Sequence, residues 1–452
     1  MDYINSIVEQ IDAMLWGWPM IILLLGTHVY LTVLLRFPQR RMWTALKLSV
    51  RRDKGSDGDV SQFGALATSL AATIGTGNIV GVATAISLGG PGAAMWCWLT
   101  GVFGIATKYG EGLLAIKYRV KTSDGKMLGG PMYALEKGLG WRWAGVLFCV
   151  FTAVASFGIG NMVQSNSISM LFEKTYSIPP YATGAFVALL VGLVILGGVK
   201  GIARVCTMLV PFMALLYIIG CMFILCVNHT FVWDALKLIV TSAFAPEAAG
   251  GGLVGATVMM AARYGIARGL FSNESGMGSA PIVAAAARTR NPVRQALVSS
   301  SGTFWDTVVI CALTSLVLVS SILAYPEIDY SDGAALTEVS FSKIPYIGTH
   351  ILSFGIITFA FSTILGWSYY GERAVEYLGG KKMIKYYRVV WVLLVFTGAV
   401  INLALVWNIA DCMNALMAIP NLVSLILLSG VILRETRRYL WEKRLDEDME
   451  DE

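Results

Sequence analysis

The sequence predicts an all-α polytopic membrane protein with eleven transmembrane helices. They form a five-plus-five inverted repeat with a broken first helix in each half, plus one extra N-terminal helix. Three observations lead to this prediction. Hydrophobic residues make up 56% of the 452 residues and charged residues only 14%, well below the roughly 25% of a soluble domain. Eleven apolar runs are each long enough to cross a bilayer. Two of these runs are interrupted by glycines and polar residues at matching places in the two halves.

The first apolar run follows acidic residues, Asp2 and Glu9, and no small-residue cleavage site comes after it. We therefore expect a retained helix and not a removed signal peptide. The expected spans lie near residues 15–35, 64–88, 93–116, 143–171, 181–198, 206–227, 253–287, 296–324, 347–370, 388–409 and 412–433. The expected domains are 1–60 (N-terminal helix and basic cytoplasmic loop), 61–230 (first repeat), 231–435 (second, inverted repeat) and 436–452 (charged cytoplasmic tail).

Lys and Arg residues predict the orientation, because cytoplasmic loops collect basic residues. With an extracellular N-terminus, the cytoplasmic loops and tail hold 28 of the 34 Lys and Arg residues, and the extracellular loops hold only Lys174, Lys237 and Lys343. We predict a multi-pass protein of the cell membrane with its N-terminus outside and its C-terminus inside. The net charge of +5 follows from this asymmetry and does not indicate a nucleic-acid partner.

The second span contains "AATIGTGNIVGVA", residues 71–83, in which Gly75, Thr76, Gly77 and Asn78 interrupt an apolar helix. One interpretation is a packing seam, since Gly77-x-x-x-Gly81 would let another helix approach closely. The other is an unwound binding segment, because irregular backbone at membrane depth is tolerated where it lines a cavity. A dinucleotide-binding fingerprint is excluded, since no strand precedes the motif.

The seventh span contains "GLFSNESGMGSAP", residues 269–281, which is equally unsuited to a regular lipid-facing helix. Each interruption opens a group of five spans. Because five is odd, the second group enters the membrane from the opposite side. Inverted repeats headed by broken helices are typical of secondary transporters.

The broken ends of such helices predict the chemistry of the site. An interrupted helix exposes unpaired N–H groups at one new end and unpaired carbonyl groups at the other. The N–H end suits a carboxylate and the carbonyl end suits a small cation. A carboxylate-bearing substrate transported together with Na⁺ or H⁺ fits both ends.

Other function classes have little support in the sequence. An intramembrane enzyme would need a nucleophile with a base or a metal cluster, and the chain has neither an H-E-x-x-H nor a G-x-S-x-G motif. The seven cysteines show no C-x-x-C spacing and the three histidines are far apart, so no zinc site, disulfide framework or cofactor is expected. A channel would need a continuous selectivity ring, whereas two inverted breaks in one chain favour alternating access.

Several long motifs resemble one family. They are "AATIGTGNIVGVA", "GGPGA", "ATKYGE", "GGPMYALEKG", "FGIGNMVQSNS", "PFMA", "GLFSNESGMGSAP", "QALVSSSGTFWDT", "STILGWSYYGE" and "VWNIADCMNALMAIPNL". Across residues 60–435 the chain resembles the alanine or glycine:cation symporter family, within the amino acid–polyamine–cation group. The resemblance implies sodium-coupled uptake of small neutral amino acids, alanine and glycine, into the cytoplasm.

The expected substrate site combines the two breaks with two other spans. The predicted substrate-binding residues are Thr76, Gly77, Asn78, Phe157, Asn161, Gln164, Ser275, Gly276, Met277, Thr363 and Trp367. Phe157, Asn161 and Gln164 fall at i, i+4 and i+7, one helical face. Helix–helix hydrogen bonding is the alternative for these polar side chains.

The expected sodium site uses oxygen atoms. Its predicted ligands are the carbonyls of Ala71 and Ile74 with the hydroxyls of Ser362 and Thr363, an assignment that the resemblance favours. The alternative for the two hydroxyls is a hydrogen bond to a carbonyl of their own helix.

Charged residues at membrane depth leave one further alternative open. Glu274 is interpreted either as the partner of Arg263 or Arg268 or as a gate. Asp306, Glu111, Lys108 and Asp411 are interpreted as structural pairs and gates that are not tied to the breaks. The alternative function is a proton-coupled amino-acid or amine transporter in which Glu274 carries the proton.

Overall fold

The structure, a computed structural model, describes residues 2–51, 56–244, 258–328, 333–344, 346, 348–401 and 403–449. The first helices are α1 (Asp2–Leu15), α2 (Trp18–Leu34), α3 (Met42–Val50), α4 (Gln62–Thr73), α5 (Val80–Gly89), α6 (Gly92–Lys117), α7 (Pro131–Tyr133), α8 (Arg142–Phe157), α9 (Val163–Tyr176), α10 (Pro180–Ile195) and α11 (Gly198–Val227). A short antiparallel hairpin of β1 (Val120–Lys121) and β2 (Met127–Leu128) follows α6.

The later helices complete a helical bundle. They are α12 (His229–Phe244), α13 (Val258–Asn273), α14 (Ala280–Ala284), α15 (Pro292–Thr303), α16 (Ala312–Ala324), α17 (Gly333–Ser342), α18 (Gly348–Gly379), α19 (Lys382–Val400), α20 (Ala404–Leu427) and α21 (Ser429–Thr436). Single 3₁₀ turns lie at Pro38–Arg41 and Thr76–Asn78, and π-helical turns at Ala134–Gly138, Gly158–Met162, Phe304–Cys311 and Arg437–Trp441.

The described residues contain seven helical segments long and apolar enough to cross a membrane, or eight if the bent pair α4–α5 counts as one span. A helix therefore accounts for most predicted spans, and the fold is that of a helical membrane protein. α6, at the predicted third span, carries Lys108 and Glu111 and is not among the seven. The count of eleven spans, the inverted repeat and the four domain boundaries stay predictions.

Some predicted boundaries are wrong. The predicted tenth span, 388–409, runs across the end of α19 at Val400 and the start of α20 at Ala404. The residues on both sides of this helix boundary are apolar, so hydropathy does not reveal it, which explains the displacement. Residues 253–257 of the predicted seventh span, residue 347 of the ninth and residue 402 of the tenth lie outside the described residues.

Small residues let the helices at the centre approach closely. α6 packs along α13, and a β-carbon at Gly265 or Gly269 would lie 2.2 Å from Ala93 O or Thr100 Oγ1. Close packing of this kind stabilises helix association in a bilayer, because burying apolar side chains away from lipid gains no hydrophobic free energy. α18 packs against α4, α8, α11 and α14. It therefore contacts both broken helix pairs, which are α4–α5 and α13–α14.

At the predicted cytoplasmic end, the segment before α4 is joined to the segment after α14. The main-chain N–H of Asp59 donates to Ala286 O at 2.8 Å, and that of Arg288 donates to Val60 O at 2.8 Å. The guanidinium of Arg119 donates to the carbonyl of Ala287 at 2.9 Å. Burial lowers the pKa of this guanidinium. This end of the bundle is therefore closed by hydrogen bonds between the two broken helix pairs.

Candidate functional site

The first break, residues 74–79, depends on the side chain of Asn78. α4 and α5 meet at an angle of 62°. In an uninterrupted helix the N–H of Gly75 would donate to the carbonyl of Ala71. It donates instead to Asn78 Oδ1 at 2.9 Å. Asn78 thereby releases the carbonyl of Ala71 from the helical ladder.

The released carbonyl faces the two hydroxyls of α18 that the sequence predicts as sodium ligands. Ser362 Oγ lies 3.1 Å and Thr363 Oγ1 3.2 Å from Ala71 O. Both hydroxyls also lie 2.9 Å from Phe359 O of their own helix. The predicted alternative, a hydrogen bond to a carbonyl of the same helix, is therefore present beside the contact with Ala71 O, and sodium ligation stays a prediction. The carbonyl of Ile74 is also outside the ladder, because the N–H of Asn78 donates to Gly75 O at 3.2 Å.

These oxygens are the hard ligands that a small cation prefers. Ala71, Ser362 and Thr363 are brought together as predicted. A β-carbon at Gly75 would lie 2.8 Å from Thr363 Oγ1, so glycine is required for the close approach of α18. Among the described residues no group of three His, Cys, Asp or Glu side chains could hold a metal ion.

The other end of the first break offers hydrogen-bond donors. The N–H groups of Thr76 and Gly77 begin the 3₁₀ turn that leads into α5, and neither has an acceptor among the hydrogen bonds of the described residues. Unpaired N–H groups at a helix start bind anions such as a carboxylate. The donors and the released carbonyl lie on one interrupted helix, one turn apart.

The last turn of α4 and the residues that carry the N–H groups border a central cavity of about 20 Å³, room for about one water molecule. Ala71, Ile74 and Ser362 are not among its lining residues. Its lining residues are Ala72, Thr73, Gly75, Thr76, Gly77, Ile159, Gln164, Phe271, Ser272, Glu274, Thr363, Trp367 and Asn414. They include five predicted substrate residues, namely Thr76, Gly77, Gln164, Thr363 and Trp367. Thr76 Oγ1 lies 3.4 Å from Gln164 Oε1, and α18 places Trp367 against Gly160.

The predicted shared face of Phe157, Asn161 and Gln164 is wrong. The chain from Gly158 to Met162 is a π-helical turn, and one extra residue per turn changes the direction of the side chains. Phe157 packs on Tyr387 and Trp391, and Asn161 Nδ2 donates to Trp391 O at 2.9 Å. Both therefore contact α19, while Gln164 lines the cavity.

The second break, residues 274–279, turns by residues with positive φ, namely Glu274, Gly276 and Gly278. This turn directs its centre away from the cavity. Ser275 Oγ lies 3.1 Å from Thr303 Oγ1, and the N–H of Gly276 donates to Glu111 Oε1 at 3.0 Å. Ser275, Gly276 and Met277 are buried but do not line the cavity; Phe271, Ser272 and Glu274 line it instead.

The predicted partners of Glu274, Arg263 and Arg268, do not contact its carboxylate. Glu274 Oε1 accepts from Trp367 Nε1 at 3.0 Å, and Oε2 accepts from Ser279 Oγ at 2.5 Å. Arg263 lies over the ring of Tyr264. Arg268 lines a second, larger cavity together with Asp411.

Three charged residues that the sequence did not tie to the breaks hold them in place. Asp306 accepts from Asn78 Nδ2 at 2.7 Å and from Ser272 Oγ at 2.9 Å, so it joins both broken helix pairs. Glu111 Oε1 accepts from the N–H groups at positions 276 and 278 and from an amide of α20. Lys108 Nζ donates to Glu274 O at 3.1 Å. The sequence-based interpretation, in which these three residues are not tied to the breaks, is therefore wrong.

Asn78 itself does not line the cavity, since its amide is held by Gly75 and Asp306. The lining residues that the sequence did not assign to the substrate include Phe271, Ile159 and Asn414. Phe271 stands directly before the polar run, and Asn414 is a polar residue inside an apolar span, so both carried a usable signal. Ile159 carried none, because the π-helical turn decides its direction.

The second cavity, the vestibule, has a volume of about 370 Å³. Its lining residues are Thr76, Gly77, Val80, Gly81, Thr84, Ser167, Arg268, Phe271, Trp407, Asn408 and Asp411. It shares Thr76, Gly77 and Phe271 with the central cavity. The vestibule therefore adjoins the central cavity. Its residues Val80, Gly81 and Thr84 lie on α5, across the first break from the hydrogen bonds that precede α4.

A central cavity bordered by donor and acceptor ends of broken membrane helices defines a class of protein, the secondary transporters. Comparison with known proteins identifies the family. The model of the sodium:alanine symporter family matches residues 1–452. The chain belongs to this family. Membership confirms the resemblance and the predicted sodium-coupled amino-acid symport, and it excludes an enzyme.

The chain is 50% identical over 447 residues to the sodium/alanine symporter AgcS of Methanococcus maripaludis, covering 97% of this chain and 98% of that relative. It is 52% identical over 454 residues to an uncharacterized transporter of Haemophilus influenzae, covering 99% of each chain. The solved structure of MhsT in complex with L-phenylalanine is similar with a TM-score of 0.59 at 15% identity, covering 86% of this chain and 95% of that one. This last similarity concerns the fold alone.

Proposed function

We propose that the protein imports alanine and glycine into the cytoplasm together with Na⁺ by alternating access. One observation carries the proposal: the first break presents unpaired N–H groups at Thr76 and Gly77 and a released carbonyl at Ala71. A carboxylate and a cation can bind to these two ends without any charged side chain of the break. The similarity to a sodium/alanine symporter supports this choice of substrate.

The substrate carboxylate binds the N–H groups of Thr76 and Gly77, with Gln164 beside them. The substrate side chain contacts Ile159, Phe271 and Trp367. A cavity of about 20 Å³ is too small even for alanine in the conformation described, so these side chains move apart when substrate enters. The crowded apolar wall selects amino acids with small side chains.

Na⁺ binds the carbonyls of Ala71 and Ile74 and the hydroxyls of Ser362 and Thr363. Binding fixes the geometry of the first break and reduces the ordering cost that the substrate would otherwise meet. The affinity gain is reciprocal, as thermodynamic linkage requires. Coupling therefore follows from the two ligands sharing one irregular segment.

Alternating access uses the five-plus-five inverted repeat formed by ten of the eleven spans, with the N-terminus outside. The hydrogen bonds between Asp59 and Ala286 and between Arg288 and Val60 close the cytoplasmic side. The vestibule of about 370 Å³ leads from the extracellular side to Thr76 and Gly77. Transport breaks the cytoplasmic contacts and closes the vestibule.

Uptake of labelled alanine by proteoliposomes tests this function. A Na⁺ gradient should drive accumulation, and replacing Na⁺ with K⁺ should abolish it. The second candidate is proton-coupled transport of an amino acid or amine, which the carboxylate of Glu274 in the cavity wall favours. Accumulation driven by a pH gradient without Na⁺ would support that candidate and contradict sodium coupling.

A further inference from the structure

We propose that Glu274, with Asn414 beside it in the cavity wall, binds the α-ammonium group of the substrate. This inference rests on the proposed function. The first break then binds the substrate carboxylate and the second binds the ammonium group, so that the two breaks together recognise a zwitterion. Substrates that share the carboxylate and lack the ammonium group are then rejected.

The carboxylate of Glu274 is buried, and the residue is only 5% exposed. Its oxygens accept hydrogen bonds from two neutral donors, Trp367 Nε1 and Ser279 Oγ. Within the described part of the chain, no Lys or Arg nitrogen lies within 4.0 Å of these oxygens. A buried carboxylate without a cationic partner is costly. The substrate ammonium group is the cation that this position lacks.

Lys108 is the nearest basic residue, and its bonds are directed elsewhere. Its Nζ donates to the main-chain carbonyl of Glu274 and lies 3.9 Å from Glu111 Oε2. Glu111 and Asp306, the other buried acids near the breaks, do not line the central cavity. Of these three acids, Glu274 alone is in the cavity wall.

Asn414 supplies a second acceptor. It is 2% exposed, it lines the same cavity, and its Oδ1 has no hydrogen-bond partner among the described residues. An unpaired buried amide oxygen costs free energy unless a ligand supplies the donor. An ammonium group has three N–H donors and no acceptor, which matches one carboxylate and one amide oxygen.

The positions of the charges agree with an α-amino acid. The unpaired N–H groups of Thr76 and Gly77 carry the partial positive charge of a helix start, and Glu274 carries the negative charge across the same small cavity. An α-amino acid places its carboxylate and ammonium groups one carbon apart, so one molecule meets both.

The test measures stabilisation by ligand in the full-length protein in nanodiscs with saturating Na⁺. Unfolding temperature against ligand concentration gives apparent affinities even for weak ligands. The probes are alanine and L-lactate, which carries a hydroxyl group in place of the ammonium. In the wild type, lactate should bind at least about 100-fold more weakly than alanine. Glu274→Gln should weaken alanine binding by about 30-fold or more and lactate binding by less than about threefold.

Glu111→Gln is the matched control, because Glu111 is an equally buried acid at the same break and does not line the cavity. It should lower the unfolding temperature and leave the ratio of alanine to lactate affinity unchanged. Asn414→Leu keeps side-chain size and should weaken alanine binding with little effect on lactate. A Glu274→Gln protein with the wild-type ratio would overturn the inference.

Transport separates this inference from the proposed function. Wild-type proteoliposomes that fail to accumulate alanine with a Na⁺ gradient would refute the proposed function. Wild-type uptake combined with normal alanine binding in Glu274→Gln would refute only the ammonium assignment. Loss of pH-driven uptake in Glu274→Gln with alanine binding intact would also refute it, since Glu274 would then carry a proton.

Discussion

The two breaks differ in how they satisfy the main-chain groups that lose their helical hydrogen bonds. The first break contains no charged residue, and one amide, that of Asn78, replaces the missing helical hydrogen bond. The second break has three residues with positive φ and is held by Glu111 and Lys108 of α6. The first therefore keeps its main-chain groups available for ligands, whereas the second uses them to fix its own shape.

The difference indicates that the first break is deformable and the second is rigid. A neutral segment held mainly through one side chain, that of Asn78 with its bonds to Gly75 and Asp306, can change conformation when ligands bind. A segment held by a buried, charged network keeps one geometry, because removing any member leaves others unpaired. The second break is thus a rigid wall that presents Glu274, and the first is the part that ligand binding orders.

The largest effect is expected at the second break. Glu111→Ala leaves the N–H groups of Gly276 and Gly278 and the amide of Asn421 without their common acceptor. Breaking such a buried charged network costs about 3–5 kcal/mol of stability. Thermal unfolding in detergent measures this loss, and Glu111→Gln, which keeps an acceptor oxygen, should lose much less. Equal stability of Glu111→Ala and wild type would mean that the second break is not held by this network.

The next effect concerns the donors of the first break. A β-carbon at Gly77 would lie 3.3 Å from the Phe271 ring, tight enough to displace that ring and to cover the N–H group. Gly77→Ala should weaken alanine binding by about 100-fold, roughly 2.7 kcal/mol, while the fold persists. Thr76→Ser keeps the hydroxyl beside Gln164 and should bind nearly normally.

Gly81→Ala is the matched control, because nothing lies within 4 Å of a β-carbon there. It should bind alanine as the wild type does. This open space also argues against the packing seam at Gly77 and Gly81, which would make both substitutions equally harmful. Equal loss of binding in the two variants would restore that interpretation.

A smaller effect concerns substrate size. Each extra methylene in a tight apolar pocket changes affinity by about 1–3 kcal/mol, and Ile159, Phe271 and Trp367 line a cavity of about 20 Å³. Glycine should compete well with labelled alanine, 2-aminobutyrate, which is one methylene larger, about 10- to 100-fold less well, and leucine less well still. Competition by leucine equal to that by alanine would show that the wall does not select by size.

The position of the first break could be predicted from the sequence, and the shape of the second could not. Glycine, threonine and asparagine in an apolar helix indicate the break and its free backbone groups, since helix ends follow from backbone geometry, while the ligands that these groups bind stay a prediction. At the second break the direction of each side chain depends on φ at Glu274, Gly276 and Gly278, and on Glu111, which is 163 residues from Glu274 in the chain. Pattern alone does not reveal such distant partners.

The fourth span illustrates the same limit. Its polar residues could be identified in the sequence. Because of the π-helical turn at Gly158–Met162, however, the Asn161 side chain contacts α19 and that of Gln164 lines the cavity. Local sequence does not specify a π-helical turn reliably, because the turn is stabilised by its tertiary contacts. Phe157, Asn161 and Gln164 would share a face in a regular α-helix, but they do not share one in a helix that contains this π-helical turn.

The smallest effect tests whether the first break couples the two ligands. Thr363 Oγ1 lies 3.2 Å and Ser362 Oγ 3.1 Å from Ala71 O, and both hydroxyls are proposed ligands of the cation. Thr363→Ala removes one of several oxygen ligands, a loss of about 0.5–1.5 kcal/mol. The Na⁺ concentration for half-maximal alanine binding should therefore rise by roughly 2- to 13-fold, and alanine affinity should recover at high Na⁺.

Thr358→Ala is the matched control on the same helix, because the Thr358 hydroxyl bonds only Phe354 O and Gly355 O in the described structure. Its Na⁺ dependence should equal that of the wild type. Since Thr363 also lines the central cavity, a direct substrate contact would lower alanine affinity at every Na⁺ concentration, including saturation. Recovery at high Na⁺ therefore distinguishes a cation ligand from a substrate ligand. An unchanged Na⁺ dependence in Thr363→Ala would place the cation elsewhere, and the first break would then bind substrate without coupling it to Na⁺.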